Sequence, residues 1–454
     1  MKANISLGIV FLFTFVFASC EKFLAVKSDK KLVVPKTLSD VQGLLDDAAY
    51  MNLRTTPSFG ETAADDYFLT KDVLSIFGAV GREVYLWGNI NYRYANDWSL
   101  GYRAIYNANL CLELLADIER NEINQSEWDN VKGSALFFRS YYNLLLLDQF
   151  GLAYDSTTSE KDLGIVIRKT SDFNVVSRRA NVKECYEAIQ TDLGEALTFL
   201  PLHAQHMMRP SKTAALALLA RMHLYKREYA QALKYADEAL AINSQLMDYN
   251  SDPSIISLDS AVPFKPFNRE IIFYAEMSSG FGLHAVARSN TDTLLYDQYD
   301  VNDLRRVAFF LDGGGYKRFK GTYSGQAAVL FTGLAVDELY LTRAECLAWL
   351  DRWNEGLSEV NLFLKKRWRN TVPFIPVAAG NKSEALDKIR MERRKTLLMR
   401  NLRWMDIKRQ NKEGANIVPS RKVDGVIYTL VPNSASYALP LPIDIIEATG
   451  MPQN

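Results

Sequence analysis

The sequence predicts a mostly α-helical protein. Antiparallel helix pairs make a platform, and long irregular inserts with few short strands make a working face. Three observations carry this. Apolar residues recur at helical spacing in nine stretches. One helix–turn–helix segment occurs twice. Non-helical inserts at about 51–97, 151–179 and 246–334 separate the helices. Irregular segments of that length in a compact protein generally carry function.

Length and composition set the frame. The chain has 454 residues, 48% hydrophobic and 23% charged, enough for a large core. Length alone implies roughly two to three domains. Lysine plus arginine is 53 and aspartate plus glutamate is 53. A zero net charge gives no general electrostatic reason to bind nucleic acid.

Residues 1–19 read as a signal peptide. Lys2 supplies the positive start, and Ile5 to Ala18 is apolar apart from Ser6, Gly8 and Thr14. That run is shorter than the roughly 20 residues a spanning helix needs. Ser19 and Ala18 precede Cys20, a pattern that resembles a bacterial lipobox, with Phe17 in place of the usual leucine. Cys20 is therefore the expected lipid-attachment site. Each buried methylene contributes about 0.8 kcal/mol, so two or more acyl chains make a stable anchor. Residues 20–36 are the lipidated N-terminus and a charged tether that ends near Pro35.

The helices follow in order. Thr37 or Ser39 can cap a helix to Tyr50, with Val41, Leu44, Leu45 and Ala48 at helical spacing. In 98–118 the stripe is Ala104, Ala108, Cys111, Leu115 and Ile118. In 126–149 the C-terminal half is apolar on nearly every side, so that helix should be buried. Helices are expected at 181–200, 211–226, 229–243, 336–350, 354–369 and 382–411, with a short strand at Gly164–Arg168. Residues 412–454 form a Pro-rich segment with short extended pieces. Cys111, Cys185 and Cys346 lie far apart in helical patterns, and three cannot all pair, so they read as buried free thiols.

The repeat relates LLARMHLYKREYAQALKYADEAL (218–240) to LTRAECLAWLDRWNEGLSEVNLFL (341–364). Arg221 lies over Arg343; after a short length difference in the turn, Tyr229 lies over Trp353, Ala232 over Gly356, Leu233 over Leu357 and Leu240 over Leu364. An aromatic opening the second helix, with a small residue three later, is the logic of tetratricopeptide (TPR) hairpins. Contiguous TPR arrays lack inserts of this length.

Catalytic motifs are missing. No G-x-S-x-G, H-E-x-x-H or P-loop occurs. His203 and His206 sit in a Pro-bounded turn with no acidic or cysteine partner nearby, and Gly313–Gly315 read as a turn. Asp65 and Asp66 could form a hydrolytic carboxylate pair, but adjacent residues usually point apart. The expectation is no enzyme, no cofactor and no metal. The basic stretch 387–410 reads as structural, its arginines pairing with carboxylates such as Glu392 and Asp406. Aromatics interleaved with Asn, Asp and Arg in YLWGNINYRYANDW (85–98) suit a ligand face: rings cover sugar C–H faces and polar groups take hydroxyls. Trp87, Tyr92, Tyr94, Asn96 and Tyr296 are the candidate ligand residues, on composition and segment position.

From Cys20 onward, CEKFLAV, ETAADDYFL (61–69), WSLGYRAIYNANLCLELL (98–115) and GSALFFRSYYNLLLLDQFG (133–151) resemble, in that order, the acylated start, the Asp-Asp-Tyr segment, the first long helix and the helix ending in Tyr/Phe-Gly of the SusD/RagB lipoproteins of the Bacteroidetes outer membrane. DLRR (303–306) falls at an Asp-x-Arg segment, and the tail YALPLPIDIIEATGMPQN resembles the closing Pro-x-Pro and Gln-Asn. IRMERRKTLLMRNLRWMDIKR (389–409) resembles the most specific signature, with Glu392, Arg393, Arg394, Arg403, Trp404, Asp406 and Arg409 in place. Thr396 and Arg400 depart from the usual glutamates, and Asn401 from the usual glycine. The resemblance implies one domain over 37–454 with about four TPR-like helix pairs carrying an irregular ligand-binding face. It implies a SusC-like TonB-dependent outer-membrane transporter as partner, and a glycan, oligosaccharide or peptide as cargo. The alternative is a TPR scaffold in envelope assembly that binds no nutrient.

Overall fold

A computed structural model of the chain describes residues 35–94 and 96–454. The signal segment, Cys20 and the tether up to residue 34 lie outside the described residues.

Thr37 caps α1 (Leu38–Leu45) in a reciprocal box with Asp40. The helix expected to Tyr50 breaks at Asp46, and Asp47 caps a separate single turn, α2 (Ala48–Met51). The insert 51–97 is less irregular than expected. It holds α3 (Phe59–Ala63), α4 (Lys71–Ser75) and α5 (Ala79–Leu86). Elements of one or two turns are too short for an apolar period to register.

The long helices fall within a few residues of expectation. They are α6 (Asp97–Ala116), α7 (Gln125–Phe150), α8 (Val182–Phe199), α9 (Lys212–Tyr225) and α10 (Tyr229–Ile242). After the short α11 (Thr293–Tyr296) and α12 (Arg305–Ala308) come α13 (Val336–Trp349), α14 (Trp353–Lys365), α15 (Lys382–Thr396), α16 (Arg403–Asn411) and α17 (Ile443–Thr449). From Gly133 to Phe150 every residue of α7 is buried, as its unbroken apolarity requires. α6 packs on α7, α7 on α8, α9 on α10, α10 on α13 and α13 on α14, and α15 crosses α13 and α14. The strands form four antiparallel pairs: β1 (Tyr67–Phe68) with β3 (Asn290–Thr291), β2 (Ile271–Phe273) with β6 (Leu334–Ala335), β4 (Phe310–Asp312) with β5 (Lys317–Phe319), and β7 (Ser420–Val423) with β8 (Val426–Thr429). Gly313–Gly315 make the β4–β5 turn. Gly164–Arg168 is not a strand. Gly164 and Ile165 are held instead by Ala180, and Val166 by the Tyr102 hydroxyl.

The repeat is structural, and its register differs from the residue-identity alignment. Lys212 corresponds to Val336, Tyr225 to Trp349 and Tyr229 to Trp353, a constant offset of 124. The turns have equal length. Arg227 and Asp351 are both left-handed, at φ 62°. Glu228 N–H bonds to His223 O at 2.9 Å, and Arg352 N–H bonds to Leu347 O at 2.9 Å, the same helix-closing bond. Arg221 therefore matches Glu345, not Arg343. Burial agrees: the Arg221 side chain is 1% exposed and that of Arg343 34%. Gly356, which matches Ala232, lets α14 approach α13; a Cβ there would lie 2.5 Å from Ala344 O.

The helix expected over 382–411 is two. Between α15 and α16 the backbone turns left-handed at Met399 and Asn401. Tertiary bonds replace the helical ladder there: Asn401 N–H donates to Glu61 Oε2 at 2.7 Å, and Arg400 forks onto Asp337 at 2.9 and 2.7 Å. Asparagine tolerates this conformation better than most residues, which accommodates the departure from glycine. The basic residues are internal. Arg393 pairs with Asp406, Arg409 with Glu345 and Asp406, Arg394 with Asp66, and Arg403 with Asp65. Glu392 takes Arg305 and Lys395. Removing one partner of such a buried pair costs about 3–5 kcal/mol.

Candidate ligand-binding site

α6 sets Trp98, Tyr102, Tyr106, Asn109 and Glu113 along one face, three or four residues apart. The segment 166–177 lies along that face. The Tyr102 hydroxyl donates to Val166 O at 2.7 Å and accepts the Val166 N–H at 2.8 Å. Asn109 Nδ2 donates to Arg168 O at 3.1 Å and Thr170 O at 3.3 Å. Glu113 accepts from Thr170 Oγ1 at 2.7 Å and Ser171 N–H at 2.8 Å. Arg168 folds the loop on itself, donating to Val175 O at 3.1 Å, to Ser177 Oγ at 2.8 Å and to the Asp172 carbonyl. The loop so held lays Phe173 flat against Tyr106, with ring centroids 5.0 Å apart and 17° between planes.

The opposite wall comes from the C-terminal tail. Ile443 N–H bonds to Tyr92 O at 2.9 Å, and Arg93 forks onto Glu447 at 2.9 Å. Tyr94 N–H reaches Asp444 Oδ2 at 3.4 Å. A cavity of about 460 Å³ opens between α6, the loop and α17. Trp98 is its buried floor, while Tyr94 and Phe173 stand 77% and 80% exposed at its rim. Asn96, Ser99, Thr170 and Ser177 supply polar groups, and Asp444 Oδ1 is shielded yet unpartnered. Burial pushes the Tyr102 phenol well above its ordinary range, so it stays a neutral donor. Rings with scattered hydroxyl and amide groups suit a ligand with apolar C–H faces and many hydroxyls.

Comparison with known proteins places the chain. A family model described as "Starch-binding associating with outer membrane" matches residues 22–224, and one described as "SusD family" matches 336–439, together about two thirds of the chain. The chain belongs to the SusD/RagB family. No curated protein matches it. A putative sugar binding protein from Bacteroides vulgatus is 20% identical, with TM-score 0.75 over 93% of this chain and 99% of that one. A SusD superfamily protein from Bacteroides thetaiotaomicron is 20% identical, with TM-score 0.75 over 92% and 99%. The surface glycan-binding protein A from Bacteroides fluxus is 17% identical, with TM-score 0.69 over 92% and 99%. These likenesses confirm the mostly helical SusD-like fold.

In this SusD/RagB chain the five sequence candidates fall in separate places. Tyr94 and Asn96 line the cavity. Asn96 is also the N-cap of α6, accepting the Ser99 N–H at 3.0 Å. Tyr92 is buried, its hydroxyl on Pro440 O at 2.7 Å and its ring against Phe59. Trp87 ends α5 in the left-handed conformation and donates to Ala63 O at 2.9 Å. Tyr296 is half-buried beside Phe310 and accepts from Arg306 at 3.0 Å, away from the cavity lining. Trp98, Tyr102, Tyr106 and Phe173 were not singled out by sequence. The ring spacing at 98, 102 and 106 was the available signal. Asp65 and Asp66 are held by Arg403 at 2.7 Å and Arg394 at 2.8 Å respectively. Although burial opposes it, Arg403 and Arg394 keep Asp65 well below the usual carboxylate range. Among the described residues no cluster of His, Cys, Asp and Glu could hold a metal ion.

Proposed function

We propose that this chain is a lipid-anchored outer-membrane protein that captures a saccharide and hands it to a TonB-dependent transporter. The ring-rimmed cavity beside α6 carries the reading: exposed Tyr94 and Phe173 have no packing role that requires their exposure. The family description as starch-binding and outer-membrane associated supports it, as do relatives titled sugar- and glycan-binding. The carboxylates nearest to a catalytic pair, Asp65 and Asp66, are spent on arginines, so capture without turnover is the function. Cys20 would supply the anchor, with residues 37–454 as one binding domain.

The test is calorimetric titration against panels of neutral oligosaccharides and peptides, with Tyr94→Ala and Phe173→Ala beside the parent. A ring lost from a sugar face should weaken binding about three- to tenfold. Silence across both panels would favour the scaffold reading, and binding that neither substitution weakens would remove the site from this cavity. Cys20→Ala protein should leave the membrane fraction, and the parent should co-purify with a large barrel.

A further inference from the structure

We infer a second binding site, for an anionic saccharide, at the C-terminal end of α14. A cavity of about 670 Å³ opens there, lined by Lys365, Lys366, Trp368, Arg369 and Phe374, and it shares no residue with the cavity beside α6. Trp368 and Phe374 meet edge to face, with centroids 5.6 Å apart and planes at 79°, making a right-angled apolar corner. The corner is pre-formed. Asn250 Nδ2 donates to Trp368 O at 2.9 Å, Asn370 N–H returns to Asn250 Oδ1 at 3.0 Å, and Arg369 N–H donates to Asn302 O at 2.9 Å. The Trp368 indole N–H is spent on Pro373 O at 3.2 Å, so the indole has its ring surface and not its donor to offer. A platform already fixed loses little freedom on binding.

Charge distinguishes this site from the first. Three cations line it against one acid, Asp248. Asp248 already takes Lys366 at 3.2 Å and the Asn250 side chain at 2.9 Å. Lys365 and Arg369 are exposed and pair with no carboxylate among the described residues. Complementing the helix dipole would account for Lys365 in the last turn of α14. It does not account for Arg369, four residues past the helix end. In the cavity beside α6 the cations are less available: Arg168 is spent on its own loop, Arg103 lies over the Tyr50 ring and donates to Ala49 O, and Asp444 adds an unpartnered carboxylate oxygen. A sugar ring seated on Trp368 would bring a carboxylate or sulfate substituent to the guanidinium fork of Arg369 and to Lys365. The inference rests on the chain's being a saccharide binder, but not on the α6 cavity.

Titration of the mature protein with polygalacturonate, dextran sulfate and neutral dextran at low and high salt tests it. Either polyanion should bind and weaken with salt, and which of them binds tells carboxylate from sulfate recognition. Lys365→Glu with Arg369→Glu should cost about tenfold or more. Trp368→Ala should cost about three- to tenfold, while Trp368→Phe, which keeps a ring, costs less and guards against a folding defect. Phe173→Ala should leave polyanion affinity unchanged, which separates this site from the first. Failure of both polyanions to bind, indifference to charge reversal, or indifference to Trp368→Ala would each overturn the inference.

Discussion

Gly356→Ala should destabilise this protein, although helix propensity alone predicts the opposite. In a helix interior alanine is better than glycine by about 0.8–1 kcal/mol. At 356, however, the new Cβ would sit 2.5 Å from Ala344 O and 3.3 Å from Ile389 Cδ1. A tolerable carbon–oxygen contact is about 3.3 Å, so α14 must retreat from α13 by roughly 0.8 Å. The obstacle is backbone, so no side chain can swing aside. Overpacking of this kind costs about 1–3 kcal/mol, which set against that gain leaves a net loss of up to about 2 kcal/mol. Unfolding entropy of about 2.1 cal/mol/K per residue makes about 0.9 kcal/mol/K for a domain this long, so Tm should fall, by up to about 2 °C. Gly194→Ala is the matched control. It is exposed within α8, and no heavy atom lies within 4 Å of its Cβ position. It should raise Tm by about 1 °C. Scanning fluorimetry of both variants beside the parent, with urea midpoints as a second measure, reads the sign directly. If Gly356→Ala raised Tm as much as Gly194→Ala, close approach of the two helices would not be the reason for glycine there.

Three further outcomes are expected. Arg421, buried on β7, donates to the carbonyls of Tyr85, Tyr67, Thr62 and Ala64 at 2.7, 2.8, 3.1 and 2.5 Å. Arg421→Met strands the Tyr85, Tyr67 and Ala64 carbonyls and leaves Thr62 O only the Tyr67 hydroxyl at 3.3 Å, so it should cost at least about 3 kcal/mol, seen as faster amide exchange over residues 59–92; unchanged exchange would refute the role. Burial raises the Glu61 carboxyl to about 8, with Asp66 adding to it and the Asn401 N–H opposing. Its folded pKa exceeds its unfolded one, so its contribution is full below about pH 4.5 and is lost as pH climbs through about 8. Glu61→Gln should therefore gain stability over the parent as pH rises from 5 to 8, and a pH-independent difference in urea midpoints would contradict it. Burial pushes the Cys111 and Cys185 thiols up to about 12, so a thiol reagent at neutral pH should label them only after denaturant unfolds the chain.

What could be read from sequence divides along the range of the interactions involved. The long helices were legible because their apolar period is a local property, repeated over several turns in α6 to α10 and α13 to α15. The TPR-like pairing was legible for the same reason. The second-helix matches keep the structural offset; only the first-helix match departs, because Arg221 and Arg343 share a side chain but not a position, and the turn geometry at Arg227 and Asp351 sets the register. The break at Leu397–Leu402 was hidden because its cause lies more than 300 residues upstream, at Pro57 and Glu61.

The candidate site shows the same division more sharply. Tyr94 and Asn96 were found because rings interleaved with amides mark an exposed segment. Trp98, Tyr102 and Tyr106 lay in plain view on α6, but rings at helical spacing read as core until something shows that one face stays open. What shows it is the loop. Phe173 has no local signal at all; it reaches Tyr106 because Asn109 and Glu113 grip Arg168, Thr170 and Ser171 about 60 residues away. Arg179 joins that loop to the chain end, donating to Gly164 O at 2.8 Å, Pro452 O at 3.1 Å and Asn454 Oδ1 at 2.6 Å. The closing Gln453 bonds Leu441 in both directions, at 2.7 and 2.9 Å, and so holds the tail that forms the far wall. The residues that build the cavity thus differ from the rings at its rim: Tyr102 and Asn109 line it and hold the loop, while Glu113, Arg179 and Gln453 hold its walls from outside. Rings at the rim can change with the ligand while Tyr102, Asn109, Glu113, Arg179 and Gln453 keep the walls in place. That separation gives a physical reason why one helical platform can serve different ligands without refolding.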